Sequence, residues 1–140
     1  MKSKSQITVR YAETDQMGIV HHANYPIWYE VARADLFNQI GMAYAEMEKS
    51  GLLLPIIELQ SKYIGAAYYE DEIIVEAALT NITQVKLEIG YTIYRKGKTR
   101  PINTGRTIHG LVNKDLRPVN VQKLYPELYQ KLQDAVNDDC

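Results

Sequence analysis

The chain has one cysteine in 140 residues, and it is the last residue, Cys140. That excludes an intrachain disulfide, a multi-cysteine metal site and a buried thiol nucleophile, and makes a reducing cytoplasm the expected setting. Charge is in surplus for neither sign: 16 Lys and Arg face 17 Asp and Glu, for a pI of about 6.3. A general nucleic-acid or anionic-membrane binder needs a basic excess, so any anionic ligand must be captured locally. No window approaches the roughly 20 apolar residues of a membrane span, and MKSKSQITVRY lacks an apolar stretch of signal-peptide length. Phe and Trp occur once each, yet tyrosine occurs 11 times. Tyrosine suits half-buried strand positions, subunit interfaces and ligand tunnels that need one hydrogen bond on an apolar wall. Repeats and low-complexity tracts are absent, and the length suits a single domain over residues 1–140.

Periodicity divides what is there. Ile7, Val9 and Tyr11 alternate as in a half-buried strand, and from Pro26 the apolar residues recur at helical spacing through Trp28, Ala32, Leu36 and Ile40. Asn24 is placed to cap this helix, Pro26 suits its first turn, and Gly41 suits a left-handed stop. The apolar arc also takes in Ile27, Val31, Ala34 and Phe37, too broad for a helix covered on one side only. A shorter helix is expected over 43–49. Alternation then returns around Ile57, Leu59 and Tyr63, from Ile73 to Leu79, and from Val85 to Ile93, with a last strand from Thr104 to Val112. Turns at 81–84 and 95–98 join neighbouring strands, and Leu128, Leu132 and Ala135 outline a helix from Pro126. One long helix after the first strand, followed by strands on short connections, predicts an α+β fold with an antiparallel sheet curled around a central helix. The edges and outer face of such a sheet favour self-association.

The chemistry-bearing residues fall at the junction between first strand and helix, where a helix N-terminus offers unpaired N–H groups to a developing negative charge. Asp15 there is either an Asx-turn residue or an ionised carboxylate that attacks a carbonyl carbon or activates water to do so. His21 and His22 are adjacent and so point apart, with no HExxH helix nearby, which disfavours a metal. Glu30 and Arg33 are spaced for an intrahelical pair. His109, in a late strand, reads as structural. Arg95, Lys96, Lys98 and Arg100 surround a turn, as a solvated hairpin or as a phosphate cradle.

The pattern Asp15-x-x-Gly18-Ile19-Val20-x-His22-Ala23-Asn24-Tyr25, followed by Glu30 and Arg33, resembles hotdog-fold thioesterases of the 4-hydroxybenzoyl-CoA thioesterase type, especially their bacterial short- and medium-chain acyl-CoA relatives. The resemblance implies a hotdog fold, a homodimer or homotetramer, and hydrolysis of an acyl-CoA or acyl-carrier-protein thioester without metal or redox cofactor. It implies that Asp15 is the catalytic carboxylate with His22 close by. The oxyanion donor would be the backbone N–H of His22 or a neighbour, in a loop shaped by Gly18, Asn24 and Tyr25. Glu30 and Arg33 would brace that loop or the dimer interface, with Glu30 a second candidate carboxylate, and the cations from Arg95 to Arg100 would meet the phosphates of coenzyme A. Relatives often carry a proline where this chain has Gly65-Ala66-Ala67 between Tyr63 and Tyr68, a departure that touches the acyl pocket. The rival function is a non-catalytic acyl-CoA or acyl-carrier-protein binding dimer on the same fold.

Overall fold

A computed structural model of the chain describes residues 1–138; Cys140, which carries the thiol and disulfide expectation, lies outside them. The strands β1 (Lys2–Thr8), β2 (Ile56–Tyr63), β3 (Glu72–Ile82), β4 (Lys86–Arg95) and β5 (Asn103–Gly110) form one antiparallel sheet, in the order β1-β3-β4-β5-β2. A tight turn over 83–85 and a longer connection over 96–102 make β3, β4 and β5 neighbours. Strand β2 instead pairs with β5, from Ile56↔His109 to Tyr63↔Asn103, while β1 pairs with β3, from Lys2↔Ala78 to Thr8↔Glu72. The first two strands thus lie at opposite edges, and the chain passes between them through α1 (Asn24–Ile40) and α2 (Tyr44–Lys49). After β5 come α3 (Val121–Leu124) and α4 (Pro126–Asn137), the latter packed on β3. Among the described residues no helix is long and apolar enough to cross a membrane.

Most of the periodicity is realised. Gly41 ends α1 at φ 95°, its N–H reaching the carbonyl of Phe37. The alternating residues of β3 and β4, Ile73 to Leu79 and Leu87 to Ile93, are buried against the helices. Three local readings change. Tyr11 is exposed in a 3-10 turn (Tyr11–Glu13), because Arg10 O accepts the Glu13 N–H and turns the chain out of the strand. Strand β3 runs through Ile82 with an irregularity between Leu79 and Asn81, and the Thr83 hydroxyl closes the turn by accepting the Lys86 N–H at 3.0 Å. Asn24 is the first residue of α1, not its cap.

The inward face of α1 buries Tyr25, Trp28, Tyr29, Ala32, Leu36 and Phe37. Burial of Leu36 or Phe37 contributes on the order of 2 kcal/mol each. Ile27 and Val31 point outward and stay exposed, as do Ile57 and Leu59 on edge strand β2. Tyr29 donates to Asn103 Oδ1 and lies 2.8 Å from Ser61 Oγ, while Asn103 Nδ2 donates to the same Oγ at 3.0 Å. The three groups close a ring between α1, β2 and β5. A Cβ on Gly105 would collide with the Tyr29 hydroxyl, so this approach requires glycine.

A second polar array begins at the buried Arg33. Its guanidinium donates to the hydroxyls of Tyr44 (2.9 Å) and Tyr91 (3.1 Å). Tyr91 Oη is 2.7 Å from Thr107 Oγ1, which is 2.8 Å from His109 Nε2, and His109 Nδ1 is 3.0 Å from the Leu54 carbonyl. The Leu54 carbonyl only accepts, so Nδ1 carries a proton; burial keeps the ring neutral, which makes Nε2 an acceptor and sets the direction of the remaining bonds. Tyr91 donates to Thr107, Thr107 to Nε2, and Nδ1–H to Leu54. His109 is therefore the neutral Nδ1–H tautomer, in a structural role.

Burial pushes the His109 imidazole down to about 4, against the opposing Leu54 bond and with help from the Arg33 charge. Unfolded His109 takes up a proton that the folded form refuses. Its contribution is complete above about pH 6.5 and is lost as pH falls toward 4, on the order of 3 kcal/mol. Denaturant unfolding across that window is expected to show this slope in the wild type and a flatter one in His109→Gln. An equal slope in both would assign it to other groups.

Candidate active site

The junction between β1 and α1 is a small hairpin. His21 N–H bonds to Glu13 O at 2.8 Å, Asp15 N–H to Ile19 O at 2.9 Å, and Thr14 bridges Val20. Its tip is closed by Gly18 N–H on Asp15 O at 2.9 Å. Gly18 takes φ 80°, the left-handed position that completes a three-residue hairpin loop. Val20 N–H bonds to Ala67 O at 2.9 Å, which anchors the hairpin to the Gly65-Ala66-Ala67 segment.

Asp15 adopts the Asx-turn geometry, its Oδ1 accepting the Met17 N–H at 2.8 Å. Among the described residues Oδ2 has no hydrogen-bond partner, so the turn leaves one oxygen of the half-exposed carboxylate available. His21 and His22 are exposed and, rather than pointing apart as their adjacency predicts, stack with ring centroids 4.2 Å apart. His21 Nδ1 accepts the Ala23 N–H at 3.1 Å, which satisfies a donor just before the helix in the way a cap would. His22 sits edge-on to Tyr63 at 6.4 Å, and the Tyr63 hydroxyl donates to the His22 carbonyl at 3.1 Å. The His22 N–H makes no hydrogen bond among the described residues. No hydrogen bond links Asp15 with His22 there. No group of His, Cys, Asp and Glu there has a metal-holding arrangement.

Tyr25 is buried edge-on between Trp28 (4.9 Å) and Tyr63 (5.2 Å), so it forms the aromatic wall behind His22. Asn24 donates from Nδ2 to Glu13 O at 2.8 Å, turning inward to the hairpin. Glu30 and Arg33 form no ion pair with each other: Glu30 is exposed, and Arg33 is committed to Tyr44 and Tyr91, away from the loop.

Glu13 is a residue the periodicity gave no reason to select. It is 4% exposed, its Oε1 accepts the Arg10 N–H and its Oε2 accepts Trp28 Nε1–H, each at 2.8 Å. Burial pushes its carboxyl up, but those two bonds and the Arg10 guanidinium outweigh it and hold the group below the ordinary range. The sequence signal was a single acidic residue two before Asp15 with the only tryptophan downstream.

The cations around the β4–β5 turn divide into two pairs. Arg95 is tied to Asp71 at 3.5 Å and to the Ala66 carbonyl, and lies 5.0 Å over the Tyr68 ring; Lys96 is tied to Glu72 at 3.3 Å. Lys98 and Arg100 form no ion pair among the described residues. Both line a groove of about 430 Å³ with Arg95, floored by Ile64, Pro101 and Ile102. The groove adjoins the segment that anchors the hairpin.

A family model described as the Thioesterase-like superfamily matches residues 9–132. A Bacillus subtilis (strain 168) protein named "Putative acyl-CoA thioesterase YneP" is 36% identical over 134 residues, which is 95% of this chain and 96% of that protein. A solved DHNA-CoA thioesterase from Staphylococcus aureus superposes with a TM-score of 0.89 at 30% identity, over 95% of this chain and 89% of that one. The hypothetical protein TT1821 from Thermus thermophilus superposes with a TM-score of 0.86 at 30% identity, over 96% and 98% of the two chains. The Asp15-to-Arg33 pattern, the sheet order and these overlaps agree: the chain belongs to the Thioesterase-like superfamily and has the hotdog fold.

Proposed function

We propose that this thioester hydrolase acts on acyl-coenzyme A, releasing a free acid and coenzyme A, with Asp15 as nucleophile or general base and the His22 N–H as oxyanion donor. The observation that carries the reading is the His22 N–H, left without a protein acceptor beside the start of α1, in the loop that presents the free oxygen of Asp15. On the nucleophilic route, Asp15 adds to the carbonyl carbon and expels the thiolate. Water then hydrolyses the resulting anhydride and regenerates the carboxylate. On the general-base route, Asp15 takes a proton from the water that attacks. Both routes place negative charge on the carbonyl oxygen, where one aimed donor is worth about 3 kcal/mol. The His22 imidazole, exposed and not bonded to Asp15, is free to give a proton to the leaving thiolate. No step calls for a metal or a redox cofactor. Lys98 and Arg100 supply the unpaired charge for coenzyme A phosphates, with Arg95 forming the groove wall. Kinship with the 4-hydroxybenzoyl-CoA thioesterase type and a cytoplasmic setting belong to the same proposal.

The working unit is a homodimer, with a homotetramer as its further assembly. Exposed Ile57, Leu59 and Tyr63 lie on the unpaired edge of β2, and Ile27 and Val31 on the uncovered side of α1, so a second copy has an apolar surface to cover. A cover there would also enclose the Asp15 loop, which the single chain leaves open.

Thiol release from a panel of aliphatic and aromatic acyl-CoAs tests the chemistry. Asp15→Asn, folded and equally oligomeric, is expected to lose about a hundredfold or more in kcat. A wild type that binds these ligands without releasing thiol would favour the non-catalytic dimer instead. Replacing Lys98 and Arg100 together by Glu is expected to raise KM about tenfold, the loss of roughly 1.4 kcal/mol of phosphate attraction; an unchanged KM would free the groove from this role. Light scattering at micromolar concentration is expected to give at least twice the 16.0 kDa chain mass, and a monomer mass would overturn the dimer.

A further inference from the structure

The Asp15 loop has few ties of its own. Asp15 holds a local turn and one rung of the hairpin, and His22 is held only through its carbonyl, which accepts the Tyr63 hydroxyl at 3.1 Å and the Tyr25 N–H at 3.4 Å. What fixes the two relative to each other is Glu13. Its carbonyl accepts both the His21 N–H and Asn24 Nδ2, each at 2.8 Å, which uses both lone pairs. Its carboxylate accepts Arg10 N–H on one oxygen and Trp28 Nε1–H on the other, each at 2.8 Å, with Arg10 Nε 3.4 Å away. One residue therefore ties the incoming chain, the returning arm of the hairpin, the first residue of α1 and the second turn of α1. Asp15 is two residues from it, and His22 is the neighbour of a residue hung on its carbonyl.

We infer that Glu13 is the positioning residue of the hydrolysis: its carboxylate clamps the Asp15 hairpin against α1 through Trp28, and so keeps the carboxylate of Asp15 and the N–H of His22 at one spacing through turnover. The inference rests on Asp15 and His22 being the reacting pair. Glu13 itself is no base, since both its oxygens are occupied and it is buried. A glutamine in its place would point an NH2 group at either Trp28 or Arg10, donor against donor. The loop would keep its backbone rungs and lose its register on the helix. A misplacement of about 1 Å in such a site costs up to a hundredfold in rate.

Trp28 is the only tryptophan, so its indole N–H gives a single, unambiguous NMR signal that reports the clamp. Glu13→Gln is expected to move that signal and to lower kcat about 10- to 100-fold with KM changed less than about threefold. Glu13→Asp, which keeps the charge, is expected to restore part of the rate. Asp15→Asn is expected to show its fall in kcat of about a hundredfold or more with the indole signal in place. Should Glu13→Gln fail to fold, Trp28→Phe removes the donor and keeps an aromatic ring, and the same fall in kcat at constant KM is expected. A Glu13→Gln protein that melts earlier yet turns over at the wild-type rate would overturn the inference. If the wild type itself releases no thiol, the Asp15 reading has failed; hydrogen exchange at the buried Trp28 indole N–H then decides, and exchange unchanged in Glu13→Gln overturns the clamp.

Discussion

A guanidinium leaves water at a cost that acceptors must offset, and the buried Arg33 places its Nε and one terminal nitrogen on tyrosine hydroxyls, without a carboxylate partner among the described residues. That demand governs how α1 meets the sheet. The acceptors are tyrosine hydroxyls on α2 and β4, one of which continues to Thr107 and His109 on β5 and ends on Leu54 before β2. One turn earlier on the same helix face, Tyr29 stacks on Tyr91 at 4.3 Å and joins β2 to β5 through Ser61 and Asn103. Packing of apolar side chains alone would let the helix slide by small amounts. These directed bonds allow one depth and one rotation. Since α1 begins at the site, its placement by Tyr29 and Arg33 is also the placement of His22 and Asn24.

The site itself is built the other way round, mostly from backbone. The hairpin is held by main-chain rungs, the Asx turn by a main-chain N–H, and the oxyanion candidate is a main-chain N–H. Side chains enter as fasteners: Glu13 on the inside, Tyr63 on the outside, His21 at the helix start. This leaves Asp15 half-exposed at the surface of the single chain, with Oδ2 unbonded among the described residues.

Much of this was legible in the residues. Strand and helix periods placed α1, β3, β4 and α4, because an apolar stripe that faces one core leaves its period in the sequence. The Asp15-to-Arg33 pattern marked the loop. The sequence could not reveal the β2 position, since alternation in Ile57, Leu59 and Tyr63 states that a strand exists and not which neighbour it takes. Asn24 read as a cap because residue type is local; its side chain instead serves a carbonyl eleven residues back, and a histidine does the capping. Glu30 and Arg33 looked like a pair because they are three apart, but the helix turns one to solvent and the other to the core. Glu13 stayed hidden because its value lies in four partners spread over nineteen residues.

The bridging of the hairpin to Ala67, and of Val9 to Glu70 and Asp71, has a consequence for synthesis of the chain. The motif is complete once Arg33 has been made, yet the Val20 N–H waits for the carbonyl of Ala67, Val9 waits for Glu70 and Asp71, and β1 has no neighbouring strand until β3 follows. A nascent chain that already carries every residue of the motif holds them on an unpaired strand and a helix without a floor. Contacts so distant in sequence close late and slowly. The chemistry is thus written early and assembled late, and an arrested or truncated chain would display the signature without the ability to use it.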